Sequence, residues 1–411
     1  MTNQSIDIVT AAADKLDDFR QEVQAWLLAN CPESQRQPIT AEEQVWGGRN
    51  RIFPSEDARL WFERMRDHGW IVPDWPIEYG GADLDEAHCK IIEKELKRLR
   101  CRKPLYDLGI WMLGPALLEF GNEAQKHEHL ARIAAGDVRW CQGYSEPGAG
   151  SDLASLQTRA DDCGDHFLVN GSKIWTTKAD KADWIFCLVR TRQGGIKQQG
   201  ISFLLIDMDD PGVTVTPISL ISGESEFCQT FFDNVKVPKS NLVGNLHEGW
   251  SVAKALLKHE RKLMSDVDID TPGPSFTMHE AAAHYIGHDD SGKLSDYTLR
   301  DQLVKNDMRF KALALTHARS YEERLAGVGN NISMIMKFAG TEAQKNKEEL
   351  LLAILGTRAL GWESSDDAGD FTGDELLTTR GWLYSKILSI AGGSSEVQLN
   401  IIAKRILELP D

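Results

Sequence analysis

Two short segments of this chain combine glycines, hydroxyl groups and a tryptophan in a pattern that suits a planar ligand bearing phosphates. The first, at 140–152, has the sequence WCQGYSEPGAGSD, with three glycines, two serines and a proline. Glycine lets a backbone approach a ligand closely and adopt positive φ, and serine hydroxyls can bond polar ligand atoms. The second, KIWTT at 173–177, places a flat apolar ring beside two hydroxyl groups. A glycine-rich turn alone is typical of an ordinary β-turn, but the two segments together predict a cradle for a heteroatom-rich ring.

A carboxylate inside an apolar helical pattern is the candidate for acid–base chemistry. Glu260 has Leu256, Leu257, Leu263 and Met264 as its neighbours at three and four residues, and all four are apolar. A carboxylate in such a position is costly to bury, and desolvation would raise its pKa, which suits a general base. The alternative is that Glu260 forms an ion pair with an arginine that is distant in the sequence.

Four motifs resemble those of the acyl-CoA dehydrogenase family. They are SEPGAGSD at 145–152, NGSKIWTT at 170–177, FDNVKVP at 232–238 and GGSSEVQ at 392–398. The motifs occur in the family's order, and the resemblance covers nearly the whole chain. It implies an FAD-dependent dehydrogenation of the Cα–Cβ bond of an acyl-CoA, with electrons passed to an electron-transfer flavoprotein in β-oxidation. The helix-borne Glu260 is similar to the base of the isovaleryl- and long-chain-type members.

The resemblance implies roles for individual residues. Ser145 would lie at the pyrimidine edge of the flavin, Trp175 against the isoalloxazine and Thr177 at its reactive nitrogen. The full set of implied cofactor contacts is Gln142, Tyr144, Ser145, Gly150, Trp175, Thr176, Thr177, Ser394 and Glu396. The implied contacts to the acyl-CoA substrate are Ser151, Arg261 and Gly393. Glu146 and Asp152 would fix the loop rather than react.

Three departures from the family pattern bear on the chemistry. Many members carry their base immediately before the Gly-Thr of the last motif, where this chain has Gly392. The family's Arg-x-x-Phe-Gly segment has no counterpart between 266 and 310, and its Gln-Ile-x-Gly-Gly is replaced by Ala-Ile-Leu-Gly-Thr at 353–357. In the family, the first segment usually reaches the FAD of the neighbouring subunit, and the second usually holds the adenosine side of FAD. The adenine end of FAD is therefore expected to be held differently, more weakly or by a different partner chain. The last alternative would make this chain one half of a heteromeric dehydrogenase, whereas the family resemblance otherwise implies a homodimer or homotetramer.

The apolar spacing predicts an α+β fold in three parts: a helical domain at 1–137, a β domain at 138–243 and a helical domain at 244–411. The resemblance makes these an all-α domain, a β-barrel-like domain and a four-helix bundle. Helices are predicted at 87–100, 108–118, 300–329, 331–362 and 374–408 and from 249 onward, with an irregular connection at 266–293. Strands are predicted at 184–189, 201–206 and 212–216, and 167–175 is predicted to be a strand, a turn and a strand.

Composition narrows the function classes. The chain has 411 residues and a net charge of −16, which disfavours nucleic acid and anionic membranes as partners. Its seven cysteines are scattered, so neither a disulfide framework nor a metal site is expected. The polar N-terminus and the absence of long apolar runs favour a cytoplasmic protein. A CoA-thioester desulfinase, a flavin monooxygenase and a nucleic-acid-binding relative of the fold remain as alternatives.

One basic cluster is a candidate for binding coenzyme A, which is polyanionic. It comprises Arg98, Arg102 and Lys103. The competing interpretation is that these cations complement the dipole at the end of a helix.

Overall fold

The computed structural model describes residues 3–37, 39, 41–265, 274–328, 332–363 and 371–410. The chain forms two compact units. The first unit consists mainly of Met1–Pro217 and Phe227–Leu256, and the second mainly of Ile218–Glu226, Leu257–Ile269 and Gly273–Asp411. The predicted order of helical, β and helical parts is confirmed. The boundaries at 137/138 and 243/244 stay predictions.

The N-terminal part of the first unit is helical, as the spacing of its apolar residues predicts. Its helices are α1 (Asn3–Asn30), α2 (Glu56–Asp67), α3 (Glu86–Arg98), α4 (Gly114–Phe120) and α5 (Glu123–Ala134). Ser55, Asp85 and Asn122 cap α2, α3 and α5 through their side chains. The helix expected at 108–118 begins with a π-helical turn, Gly109–Leu113, before α4 continues it.

A mixed sheet of eight strands follows. The strands are β1 (Trp140–Gly143), β2 (Arg159–Asp162), β3 (His166–Thr177), β4 (Trp184–Arg190), β5 (Ile201–Asp207), β6 (Val213–Ile218), β7 (Phe227–Pro238) and β8 (Leu242–Val243). Their order is β6-β7-β3-β2-β4-β5-β8, and β1 pairs with β4. A core of Val169, Ile185, Leu204, Val235 and neighbouring apolar residues lies against it. The strands predicted at 184–189, 201–206 and 212–216 are confirmed.

The prediction of a turn within 167–175 was wrong. The segment belongs to the single strand β3, which pairs with β7 along its length. Gly171 has a φ of +146° and forms a register shift instead of a turn, and a Cβ there would come within 2.7 Å of the Thr158 backbone. The close approach of Thr158 explains why glycine is needed at a position that remains in the strand.

Helices return after the sheet. They are α6 (Gly249–Ser265), α7 (Met278–Tyr285), α8 (Tyr297–Leu325), α9 (Ser333–Leu355), α10 (Gly373–Ser385) and α11 (Ser395–Arg405). None of the helices within the described ranges is long and apolar enough to span a membrane.

Two predictions for this region need correction. The stretch 266–293 was expected to be irregular, but it contains α7, which begins with a capping box between Thr277 and Glu280. Residues 266–273 of that stretch lie outside the described residues. The helix predicted at 374–408 is interrupted between α10 and α11, where Gly392 and Gly393 adopt positive φ. α10 ends at Ser385 and a 3-10 turn follows at Lys386–Ser389, and the two glycines then form the bend that leads into α11.

Candidate active site

The serine- and glycine-rich segment of the first unit forms a tight turn. Glu146 and Ala149 exchange two backbone hydrogen bonds, each of 3.0 Å, around Pro147 and Gly148. A Cβ added at Gly148 or Gly150 would meet no heavy atom within 4 Å, so both glycines border open space. Neither glycine has a positive φ. What they provide is the absence of a side chain over the turn.

A buried ion pair anchors this turn. The Lys173 ammonium lies 2.7 Å from a Glu146 carboxylate oxygen and donates to the carbonyl of Tyr144 at 3.1 Å. The same carboxylate accepts the backbone N–H groups of Gln157 at 2.6 Å and Thr158 at 2.8 Å. Burial raises the pKa of Glu146, but Lys173 and these donors outweigh burial and leave that pKa below its usual value. Glu146 therefore holds the loop, as the sequence predicts.

Trp175 is held in an unusual conformation beside this turn. Its φ is +62°, at a register shift between Ile174 and Thr176, and 51% of its surface is exposed. Left-handed backbone is unfavourable for a bulky residue, so the surrounding sheet must impose it. The Ile174 N–H donates to the Ser145 carbonyl at 2.9 Å, which joins the two motifs directly. We call residues 145–151 with 175–177 the cradle.

The hydroxyl groups of the cradle are of two kinds. The Thr176 hydroxyl is buried, donates to the Cys228 carbonyl at 2.8 Å and lies 2.9 Å from the Thr230 hydroxyl. It is committed to the sheet, so only the Thr176 backbone remains a predicted flavin contact. The other hydroxyls have no hydrogen-bond partner among the described residues; they belong to Ser145, Ser151 and Thr177. They are the groups of the cradle that a polar ligand can use.

The residues that flank the turn serve mainly to position it. The Tyr144 ring packs edge-on against Phe186 and Phe203, so its side chain belongs to the core and only its backbone stays a predicted contact. Asp152 is exposed and pairs with Lys197 at 2.6 Å. Gln142 is half-buried on β1 and remains a predicted contact.

The basic cluster proposed for coenzyme A is used mostly by the protein itself. Arg98 pairs with Glu95 at 2.6 Å on the same helix. Arg102 is buried, donates to the Gln37 carbonyl at 2.8 Å and pairs with Glu43 at 3.1 Å. The Arg102 guanidinium therefore ties the segment after α3 to residues 37 and 43, which favours a structural role over a contact with coenzyme A.

The last motif, in the second unit, forms a turn of a different kind. Gly392 has a φ of +65° and Gly393 a φ of +101°. A Cβ on Gly393 would lie 2.6 Å from Nε2 of the buried Gln398. Ser394 caps α11 through its hydroxyl, and Glu396 lies exposed in the first turn of that helix, where its charge suits the helix dipole. We call residues 392–394 the glycine turn.

The predicted base lies on α6. Glu260 and Arg261 fall within this helix, as predicted, but their side chains lie outside the described residues. Their roles therefore stay predictions. Leu256, one helical turn before Glu260, is fully buried.

Sequence reasoning missed two buried lysines. Lys173 is the partner of Glu146, and Lys337 of α9 is 3% exposed, with its ammonium 2.7 Å from the Gly393 carbonyl oxygen. A signal existed for Lys337, because it is the one charged residue in the apolar stretch 332–339. Lys173 gave no such signal, since it stands between Ser172 and Ile174 in a strand that is only half-buried.

Comparisons with known proteins agree along the chain. Family models match the N-terminal, middle and C-terminal domains of acyl-CoA dehydrogenase at residues 15–137, 141–235 and 247–407. Acyl-CoA dehydrogenase IpdE1 of Mycobacterium tuberculosis is 33% identical over 401 residues, which cover 96% of this chain and 98% of the relative.

Two solved structures extend the comparison. One, described as a Tcur3481-Tcur3483 steroid ACAD, has a TM-score of 0.74 and 27% identity, covering 97% of this chain and 98% of the other. The ChsE4-ChsE5 complex from Mycobacterium tuberculosis has a TM-score of 0.72 and 27% identity, with the same coverage.

Proposed function

The chain belongs to the acyl-CoA dehydrogenase family, and we propose that it removes hydrogen from the Cα–Cβ bond of an acyl-CoA thioester with FAD as cofactor. The observation that carries this proposal is the cradle, in which an anchored turn with open space over Gly148 and Gly150 lies beside Trp175 in left-handed backbone. Such strain persists where the surrounding structure imposes it, and it concentrates at ligand sites.

The groups of the cradle fit a flavin. The open space over Gly148 and Gly150 admits a ring or a chain of phosphates, and the exposed Trp175 offers a flat face for stacking. The Ser145 and Thr177 hydroxyls supply hydrogen bonds to ring heteroatoms. The further predicted flavin contacts are Gln142, Gly150, the backbones of Tyr144 and Thr176, and Ser394 and Glu396 of the second unit.

Glu260 is the base of the proposed reaction. A base must take the proton from the carbon α to the thioester, while a bound flavin supplies an acceptor for the hydride from the β carbon. Leu256 is buried one turn earlier on α6, which supports an apolar environment for this part of the helix. Arg261 and Gly393 are assigned to the thioester end of the substrate and Ser151 to its CoA portion.

A bulky, polycyclic acyl group is the proposed substrate class. Gly392 has no side chain at the position where many members of the family place a glutamate, which leaves room for a wide acyl group. The relative described as a steroid ACAD, 27% identical to this chain, also supports a bulky, polycyclic acyl group. The proposed electron acceptor is an electron-transfer flavoprotein, as is typical of the family.

A second, related chain is the proposed partner. The Arg-x-x-Phe-Gly segment and the Gln-Ile-x-Gly-Gly motif are absent from this sequence, so a different chain would hold the adenosine side of FAD. The ChsE4-ChsE5 complex is a relative built from two differently named chains, which supports this arrangement. A purified single chain that carries one FAD per protomer would contradict it and favour a homo-oligomer.

Substitution of the base tests the activity. Glu260→Gln keeps size and polarity but cannot take a proton, so we expect acyl-CoA-dependent ferrocenium reduction to fall by ~10³-fold or more. Glu322→Gln, on an exposed face of α8, is the matched control and should retain wild-type turnover. A panel of straight, branched and steroid-type acyl-CoAs, scored by anaerobic bleaching of the flavin, would identify the substrate class.

The same variant separates dehydrogenation from a desulfinase. The missing glutamate at Gly392 favours this second candidate, because CoA-thioester desulfinases on this fold lack the dehydrogenase base. A desulfinase should be nearly indifferent to Glu260→Gln. Wild-type turnover of a sulfinate thioester by both proteins, without flavin bleaching by any acyl-CoA, would replace dehydrogenation as the function.

A further inference from the structure

Helix α9 carries a lysine that the proposed reaction does not use. Lys337 is 3% exposed, and its ammonium donates to the Gly393 carbonyl at 2.7 Å and to the Leu388 carbonyl at 3.0 Å. A buried ammonium is costly unless its donors are satisfied, so these two contacts are strong constraints on both partners. Lysine is also among the residues that are almost never fully buried without a partner.

Of the two carbonyls that Lys337 binds, that of Leu388 precedes the glycine turn and that of Gly393 lies within it. Adjacent glycines have the largest conformational freedom of any pair of residues, and fixing them in one conformation needs contacts from outside the turn. Gln398, which is 2% exposed, provides a second tie, with its amide 3.4 Å from the Gly392 carbonyl. Lys337 thus restrains a segment that has no side chains of its own at 392 and 393.

The identity of the turn makes this restraint chemically relevant. The segment stands where many relatives carry a glutamate side chain, and here that side chain is replaced by hydrogen at Gly392. Gly393, Ser394 and Glu396 are the residues of the second unit that the proposed function assigns to substrate and flavin. A carbonyl held by Lys337 also fixes the plane of its peptide group, and with it the position of the next residue, Ser394.

We propose that Lys337 is a positioning residue, whose ammonium sets the conformation of the glycine turn for ligand binding. The inference rests on the proposed function for the identity of the ligands, but the contacts on which it stands are independent of turnover. A purely structural lysine would contribute to the stability of α9 without affecting kcat or flavin affinity.

The test compares three variants in the complete, flavin-loaded protein. Lys337→Met fills a similar volume but leaves the Gly393 and Leu388 carbonyls without their donor. Lys337→Arg restores N–H donors. Lys347→Met, on the same helix, is the control, because Lys347 makes no hydrogen bond or ion pair among the described residues.

Amide hydrogen exchange, FAD affinity and steady-state kinetics are the three measurements. Lys337→Met should speed amide exchange in the peptide covering 388–398 by at least tenfold and weaken FAD binding by about tenfold, the size expected for lost charge-assisted hydrogen bonds. On the best acyl-CoA, kcat should fall by about 30-fold with a smaller change in KM, because misplaced groups affect the transition state most. Lys337→Arg should recover part of each loss, and Lys347→Met should match wild type.

Two results would overturn the inference. One is unchanged exchange at 388–398 in Lys337→Met. The other is faster exchange with FAD affinity and kcat within twofold of wild type, which would make Lys337 structural only. If Lys337→Met does not fold, Lys337→Arg decides by the same readouts. A wild-type protein that oxidises no acyl-CoA would end the proposed function, whereas exchange and FAD affinity would still decide the role of Lys337.

Discussion

The cradle and the glycine turn both contain glycines, but glycine serves a different purpose in each. At Gly148 and Gly150 the backbone is ordinary and the space above it is open, so the missing side chain matters. At Gly392 and Gly393 the backbone itself requires glycine, with φ values of +65° and +101°. One motif keeps a surface clear for a ligand, and the other makes a bend that other residues rarely adopt.

The two regions also differ in how a buried lysine holds them. At the cradle, Lys173 forms an ion pair with the Glu146 carboxylate, which also accepts hydrogen bonds from two backbone N–H groups. In the glycine turn Lys337 meets backbone carbonyls of Leu388 and Gly393. An ion pair fails badly when one partner is removed, because it leaves a buried charge, whereas a lysine bound to carbonyls leaves only neutral acceptors.

The largest predicted effect comes from breaking the ion pair of the cradle. Lys173→Met leaves the Glu146 carboxylate buried without its cation, and we expect a loss of ~3–5 kcal/mol in the free energy of unfolding. Urea denaturation followed by fluorescence measures it. Lys197→Met, which removes exposed contacts to Asp152 and the Ser155 hydroxyl, should lose less than ~1 kcal/mol.

The double variant decides whether the charge is the cause. Glu146→Gln together with Lys173→Met should regain at least half of the stability lost by Lys173→Met, since neither charge then remains. If the losses of stability from the two substitutions instead add, Lys173 acts through packing. The difference between an ion-paired Lys173 and a carbonyl-bound Lys337 would then not explain their effects.

A smaller effect separates the two kinds of glycine. Gly393→Ala forces a Cβ to within 2.6 Å of Gln398 Nε2 at a φ that L-residues avoid, and should cost about 2 kcal/mol of stability. Gly150→Ala adds a methyl group in open space at ordinary φ and should leave the stability of the flavin-free protein within ~0.5 kcal/mol of wild type.

Flavin titration completes this comparison. Gly150→Ala should weaken FAD binding although it does not destabilise the protein, because the added methyl group occupies space that the ligand needs. Equal FAD affinity for Gly150→Ala and wild type would mean that the space over the turn is not part of the cofactor site.

The loss of stability at acidic pH gives a further, smaller predicted effect of the cradle. The pKa of Glu146 lies below its ordinary value of 4.5 in the folded protein. Its contribution to stability is therefore complete above pH 4.5 and is lost as the pH falls through the lowered pKa. The wild-type protein should lose stability more steeply below pH 4.5 than the Glu146→Gln, Lys173→Met double variant. Parallel curves would remove Glu146 as a source of acid sensitivity.

The sequence was a good guide to elements whose signals are local. The three-part order, the helix α3 predicted at 87–100 and the strand β4 predicted at 184–189 follow from the spacing of apolar residues. The Asn170-Gly171 pair wrongly predicted a turn. Glycine is needed at 171 because Thr158 packs closely against it, and this contact cannot be seen in the neighbouring sequence. The break before α11 depends on backbone conformation at two glycines, which apolar periodicity does not register.

The candidate site shows the same division. Family motifs brought the two parts of the cradle together, and the Ile174–Ser145 hydrogen bond confirms that they adjoin. They did not distinguish the committed hydroxyl of Thr176 from the available one of Thr177, because that depends on which side of β3 each side chain lies. The buried lysines required long-range packing to be known, since each meets partners at least 27 residues away.

The smallest predicted effect concerns the strain at Trp175. Left-handed backbone costs an L-residue about 1 kcal/mol relative to glycine, so Trp175→Gly should stabilise the flavin-free protein by that amount over Trp175→Ala. Because half of the Trp175 surface is exposed, loss of the ring itself should change stability little. Both variants should weaken FAD binding by at least tenfold through the lost stacking face. If Trp175→Gly instead gains no stability over Trp175→Ala, the bulge relaxes without the ring, and the cradle is shaped by its ligand rather than by the sheet.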